Sequence, residues 1–264
     1  MKPLRPFLRL LAAAVLCAIV PAAHAAPPPV QTTTFKSAAK RATFVELFSS
    51  EAKKGSPAAD KWLSGLQSDE RLWKTLVPVL FAVDSSKPGW RDRYADTENA
   101  ARLSAYRANW GVEHAYVPAV VVNGVEWSGW AREEAIPMPP TPDAGVLTAV
   151  KASTEEVTVA FEPADKAFRD WTAHAALVGY GIVSKIGGGE NLGKTTRRDF
   201  VSLRVSRKDL EEKRGVFKAT LKLAFKTDAP TNGLGLVVWI TRGENPVPVQ
   251  AVGGIVKPPL LKKS

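Results

Sequence analysis

From Ser153 onward the apolar residues of this 264-residue chain recur at every second position, and before it they do not. Val157, Val159 and Phe161 alternate with polar residues, as do Val201, Leu203 and Val205. Phe217, Ala219, Leu221, Leu223 and Phe225 are interleaved with Lys218, Thr220, Lys222, Ala224 and Lys226. A period of two places one face of a strand inward and the other in water, so this stretch is constrained to half-buried strands. Trp171 to Ile186 and Leu234 to Thr241 are continuous β-rich runs, and Lys208 to Arg214 reads as a polar turn or a single helical turn. Six or seven strands without a helix predict an antiparallel sandwich over residues 153–258.

Between residues 41 and 152 the pattern alternates instead. Thr43 to Phe48 is strand-like; Ser56-Pro57 offers a helix cap followed by proline at the first helical position, with Trp62, Leu63 and Leu66 as the apolar stripe. Leu76 to Val83 suits a buried strand, with Pro78 a sign of an edge. Asp96 caps a helix running to Trp110, Val117 to Val122 is a strand, and Val122-Asn123-Gly124-Val125 is a hairpin turn because Asn-Gly readily takes positive φ. Thr141-Pro142-Asp143 then introduces a last helix to about Ala152. This β-α-β-α-β-β-α order is that of a thioredoxin-like domain, so the expected fold class is α+β: a thioredoxin-like α/β domain followed by an antiparallel β-sandwich-like domain.

Residues 1–25 have the parts of a secretory signal: Lys2, Arg5 and Arg9, the apolar run Leu10 to Val20, and Ala23-His24-Ala25 as the cleavage site. The expected location is periplasmic or secreted. Residues 26–40 are rich in Pro, Thr and Ala and read as flexible or extended, and residues 259–264 form a basic tail. The one cysteine, Cys17, lies in the leader, so the mature chain has no thiol chemistry and no cysteine-ligated metal, and its stability rests on core burial. No further apolar run is long enough for a membrane helix. After the leader, the excess of basic residues falls entirely beyond residue 150.

Val45-Glu46-Leu47-Phe48, Ser50, Pro57, Ala59 and Asp60 match the motif V-E-L-F-T-S-Q-G-C-x-x-C-P-P-A-D, and further likeness lies in Val83-Asp84, Gly89-Trp90, Tyr116-Val117-Pro118, Val121 to Gly124 and Gly189 to Thr195. On these residues the chain resembles a bacterial, usually secreted family of unknown function with a thioredoxin-like N-terminal half. The resemblance implies a redox pair at the start of the first helix, where this chain has Lys53 and Ser56. A helix N-terminus stabilises a thiolate, but it does nothing for an ammonium, and a serine hydroxyl is too weak an acid to replace a thiol. The resemblance also aligns Pro118 with a cis-proline whose preceding backbone pairs with extended peptides, which makes Tyr116, Val117 and Pro118 the candidate peptide-binding residues.

Other candidates divide between a functional and a plain reading. Lys53 and Lys54 near a helix start suit an anion, or are simply exposed lysines. Lys218, Lys222, Arg198 and Arg204 give the β-half a basic face for an anionic surface or acidic partner, or a solvated sheet face. Gly188 to Thr195 satisfies G-x-x-x-x-G-K-[ST], yet strand periodicity follows where a phosphate loop needs a helix, so a glycine-rich β-connection is expected. His114 and His174 fall in different halves, which argues against a clustered metal site, and no aromatic interleaving supports nucleic-acid binding. No cofactor is expected. The leading expectation is a non-redox cell-envelope binding or accessory protein that docks a peptide or protein segment. The alternatives are an enzyme using Lys53, Ser56 and Asp84 in non-thiol chemistry, or a structural protein without a small ligand.

Overall fold

The computed structural model describes residues 32–84, 90–114, 116–138, 142–225 and 227–257. The leader with Cys17, the basic tail, Gly89, Thr141 and Lys226 lie outside the described residues. In chain order the elements are β1 (Thr33–Lys36), β2 (Thr43–Ser49), α1 (Ser56–Gly65), β3 (Leu76–Ala82), α2 (Thr97–Trp110), β4 (Ala119–Val122), β5 (Val125–Glu126), β6 (Gly145–Lys151), β7 (Glu156–Pro163), β8 (Trp171–Tyr180), β9 (Ile182–Lys185), β10 (Thr195–Arg198), β11 (Val201–Asp209), β12 (Glu211–Lys213), β13 (Val216–Lys222), β14 (Gly233–Arg242) and β15 (Gln250–Lys257).

This architecture overturns the α+β expectation. The protein is mostly β, with two α-helices among the described residues, and its largest sheet has eight strands in the order β15-β14-β8-β11-β3-β2-β4-β5. The sheet is joined where β11 lies parallel beside β3 at Val201 and Leu80. The central strands of the first half are therefore continued by strands of the second rather than closing a thioredoxin-like domain of their own. A second sheet, β1-β6-β7-β13-β12, covers one face of β8 and β14, and β9 and β10 form a separate hairpin.

Residues 145–151 account for a second correction. The expected last helix is strand β6, paired with β1 on one side and β7 on the other. Its alternating burial, with Leu147 and Ala149 inside, is the period-two reading of a segment that also fits helical spacing. Lys208 to Arg214, expected as a polar turn or a single helical turn, likewise holds the end of β11 and all of β12.

Several local expectations hold. Asp96 caps α2 by accepting from Glu98 N at 2.8 Å, and Asn123 and Gly124 take φ of 51° and 88° in the β4–β5 turn. Pro78 sits in β3 opposite Val45 of β2. Its nitrogen faces the same side as that of Leu80, which donates to Phe200 O, and on that side no strand pairs at Pro78. The continuous apolar runs belong to strands buried on both faces. On β14, Val237 and Trp239 enter one core, while Leu236, Val238 and Ile240 enter the core between the sheets. The large sheet curls enough for Trp239 to stack on Phe44 of β2, with ring centroids 5.3 Å apart.

Candidate functional site

The segment after β2, where the resemblance places a redox pair, is a short polar loop closed on itself. Lys53 N donates to Ser50 O, and Ser56 N donates to Lys53 O. Ser56 was expected to cap α1; the cap is Gly55, and Ser56 is the first helical residue. Its hydroxyl is fully buried and accepts from Ser50 N at 3.2 Å, so it stitches the loop and has no access to a substrate. Lys54 is exposed and Lys53 half-buried. Asp84 is an exposed partner of Arg91 at 3.2 Å.

Pro118 follows a cis peptide bond, as expected, and packs on this loop: a Cβ on Gly55 would lie 3.2 Å from Pro118 Cδ. Tyr116 beside it is 81 % exposed. From the other side the glycine-rich connection between β9 and β10 closes in. Asn191 Nδ2 donates to Glu51 O at 2.9 Å and Lys53 O at 2.6 Å, and Glu190 N donates to Ala52 O. Gly189 has φ of +76°, and a Cβ there would come within 2.7 Å of Ala52 O. The glycine is thus explained by the close approach of two backbones, not by a phosphate. Lys194 Nζ donates to Asn191 Oδ1 at 3.0 Å. Only a three-residue 3-10 turn, Gly189–Asn191, is present, and strand β10 follows. Lys194→Ala is expected to leave an ATP titration as featureless as before; a saturable, magnesium-dependent signal lost in the variant would refute this.

Beneath the loop lies a charge cluster that the sequence did not reveal. Arg198, expected on a solvent-facing basic surface, is fully buried and is the correction of greatest consequence for the site. Its Nη1 and Nη2 donate to Asp92 Oδ2 and Oδ1 at 2.6 and 3.2 Å, and Nη2 also lies 2.6 Å from Glu51 Oε1 as an ion pair without hydrogen-bond alignment. Trp90 Nε1 donates to Glu51 Oε2 at 3.0 Å, and Tyr94 packs its ring against the guanidinium, 5.5 Å from the ring centre. Burial pulls the Arg198 pKa down, but Asp92, Glu51 and Asp60 outweigh it and hold the pKa above its ordinary value.

Asp60 on α1 completes the cluster. Ser49 Oγ donates to its Oδ1 at 2.6 Å, while its buried Oδ2 has no hydrogen-bond partner. Burial pushes its pKa up to about 7; the Arg198 charge and the Ser49 bond temper that rise, and Asp92 and Glu51 add to it. Three buried carboxyls thus face one buried guanidinium. Asp60 belonged to the matched motif; Glu51, Asp92 and Arg198 carried no such signal.

The other basic candidates are exposed, and acids lie opposite two of them: Lys218 is registered against Glu211 and Lys222 against Glu156. Arg204 is exposed on β11. His174 is stacked on Trp239 at 5.0 Å and shares a 3.0 Å hydrogen bond with Thr241 Oγ1; burial, then Arg102 and Arg207, hold its pKa well below the usual range. Among the described residues no helix is long and apolar enough to cross a membrane.

No curated protein matches the chain. Two solved structures are similar to it in fold. A crystal structure of a protein from Agrobacterium tumefaciens has TM-score 0.51 and 18 % identity, over 86 % of this chain and 98 % of that one. HBP35 of Porphyromonas gingivalis has TM-score 0.55 and 11 % identity, over 86 % and 80 %. The profile of a family described as a protein of unknown function, DUF1223, matches residues 44–241, which takes in the polar loop, the charge cluster and both central sheet halves. The chain therefore belongs to the DUF1223 family.

Proposed function

We propose that the protein is a non-redox binding protein of the cell envelope that docks a polypeptide segment on the surface made by Lys53, Lys54, Tyr116, Pro118 and Leu192. The observation that carries this reading is the exposure of Tyr116 (81 %) and Leu192 (67 %) on either side of a loop whose own polar groups are consumed internally. Large apolar side chains held in water beside a bonded, rigid loop are suited to contact, whereas the hydroxyl at this place is sealed from any substrate. Lys53 and Lys54 favour an acidic or C-terminal carboxylate group on the docked segment.

The reading is tested by placing a photoreactive phenylalanine at position 116, 192 or, as control, the exposed Val183 of β9, in protein expressed in its native envelope. A common adduct from 116 and 192, absent from 183 and diminished by Lys53→Glu with Lys54→Glu, is expected. Adducts equal at all three sites would defeat the proposal. The purified mature protein is also expected to show no disulfide exchange above background, since it has no sulfur nucleophile.

A further inference from the structure

Strand β11 is paired along the whole of one edge with β8 but along almost none of the other. Val201 meets Leu80 of β3, and beyond it no register joins β11 to β3. The hydrogen bonds at its two ends fix which residues face outward. Phe200 O accepts from Leu80 N, so Phe200 faces β3; after the irregularity at Ser202/Arg204, Leu210 N donates to Trp171 O, so Leu210 faces β8. Counting back from Leu210 by twos, Lys208, Ser206 and Arg204 also face β8. The backbone groups of Val205 and Arg207 therefore point away from it, and among the described residues no hydrogen bond takes them up.

The split between β3 and β11 is held open by α2. Asn99 Nδ2 donates to Ala82 O at 2.9 Å, on the side of β3 that faces β11, and its buried Oδ1 is left without a partner. Three adjoining cavities follow the free edge, of about 590, 100 and 300 Å³, and Val205 lines all of them. Asn99 lines the latter two, and in the last the Arg102 guanidinium lies over the buried Phe81 and Trp239 rings, beside the half-buried His174. Arg204, Arg207 and Lys208 are exposed along the strand. Of the acids that line these cavities, Asp96 is engaged as the α2 cap, Glu156 lies opposite Lys222 and Glu244 pairs with Arg207 at 3.6 Å, with Glu98 and Glu155 nearby; among the described residues no acid pairs with Arg204 or Lys208.

We propose that an extended polypeptide segment adds as a strand to the free edge of β11 at Val205 and Arg207, with acidic residues placed beside Arg204 and Lys208. An unpaired strand edge asks for an amide backbone, since only another extended chain offers donors and acceptors at its spacing. The unpartnered Asn99 acceptor at the head of the groove adds a demand for a donor at that point. This surface is separate from the one proposed around Tyr116, and the test tells them apart.

Amide hydrogen exchange on the free protein is expected to alternate along β11, with Val205 and Arg207 exchanging at least ~10-fold faster than Ser206 and Lys208. The probe is an acetylated, amidated octapeptide that alternates glutamate with valine or phenylalanine. It is expected to bind saturably and to protect the Val205 and Arg207 amides. Val205→Pro removes an outward N–H and no bond to β8, though also some packing against the core, and in a variant shown by its melting to be folded binding should weaken about tenfold. N-methylating alternate peptide amides should weaken it as much, and Tyr116→Ser should leave it unchanged. Uniform exchange along β11, no binding up to millimolar peptide, indifference to both Val205→Pro and N-methylation, or loss of binding in Tyr116→Ser would each overturn the proposal.

Discussion

Replacing Arg198 by leucine is expected to destabilise the fold by about 3–5 kcal/mol at neutral pH, the usual cost of breaking a buried ion pair from one side. The guanidinium is fully buried, makes two hydrogen bonds to Asp92 and an ion pair to Glu51, and is the counter-charge for three buried carboxyls. Leucine fills part of the volume but removes the positive charge and both donors to Asp92. Glu51 and Asp92, left without the cation, would draw in water, which reorganises the loop that Asn191 and Trp90 pin from two sides. The penalty should shrink as the pH is lowered through about 7, because protonated Asp60 no longer needs the cation. Denaturant titrations at pH 5 and pH 8 check both points. A loss under 1 kcal/mol, or one equal at the two pH values, would mean that the cluster is hydrated and the cation dispensable.

Arg198 also marks the limit of what could be read without coordinates. The strand Thr195–Arg198 alternates exposed and buried residues, so one of two adjacent arginines had to face inward. Nothing local distinguishes Arg197 from Arg198. The choice is made by Glu51 and Asp92, which come from segments more than 100 residues away, and by Tyr94, whose ring covers the guanidinium. Local chemistry was legible where a single residue decides it, as at the Asp96 cap and the Asn123–Gly124 turn. It failed at residues 145–151, where V-L-T-A-V-K fits a helix and a strand alike and the pairing with Thr33–Lys36 and Glu156–Pro163 settles the matter. The α+β expectation failed for the same kind of reason: strand existence was visible in the pattern, but the pairing of Val201 with Leu80 that joins the halves into one sheet was not.

The exchangeable proton of Asp60 gives the second large effect. A carboxyl whose pKa is about 3.8 in the unfolded chain and about 7 in the fold binds its proton more tightly when folded, so its contribution to stability is fully present below pH ~4 and is lost as the pH rises through 7. A shift of about three units corresponds to roughly 4 kcal/mol. His174 works in the opposite direction over part of this range: its pKa is depressed in the fold, so its contribution is lost as the pH falls through and below ~6.5. The total stability of the wild type therefore mixes two limbs, and Asp60→Asn separates them. Asparagine is neutral at every pH and keeps an oxygen for the Ser49 hydroxyl, so it imitates the protonated acid. The variant should match the wild type near pH 4 and exceed its stability by about 4 kcal/mol at pH 8, with the difference opening between those values and the His174 limb common to both. Because α1 carries Asp60 directly beneath the loop that holds Lys53 and Lys54, any ligand that adds negative charge there should raise the proton affinity of the cluster further, and proton uptake on binding would be measurable in buffers of different ionisation enthalpy. A difference between variant and wild type that stays constant from pH 4 to pH 8 would show that Asp60 is ionised throughout, with Arg198 alone sufficient to hold it so.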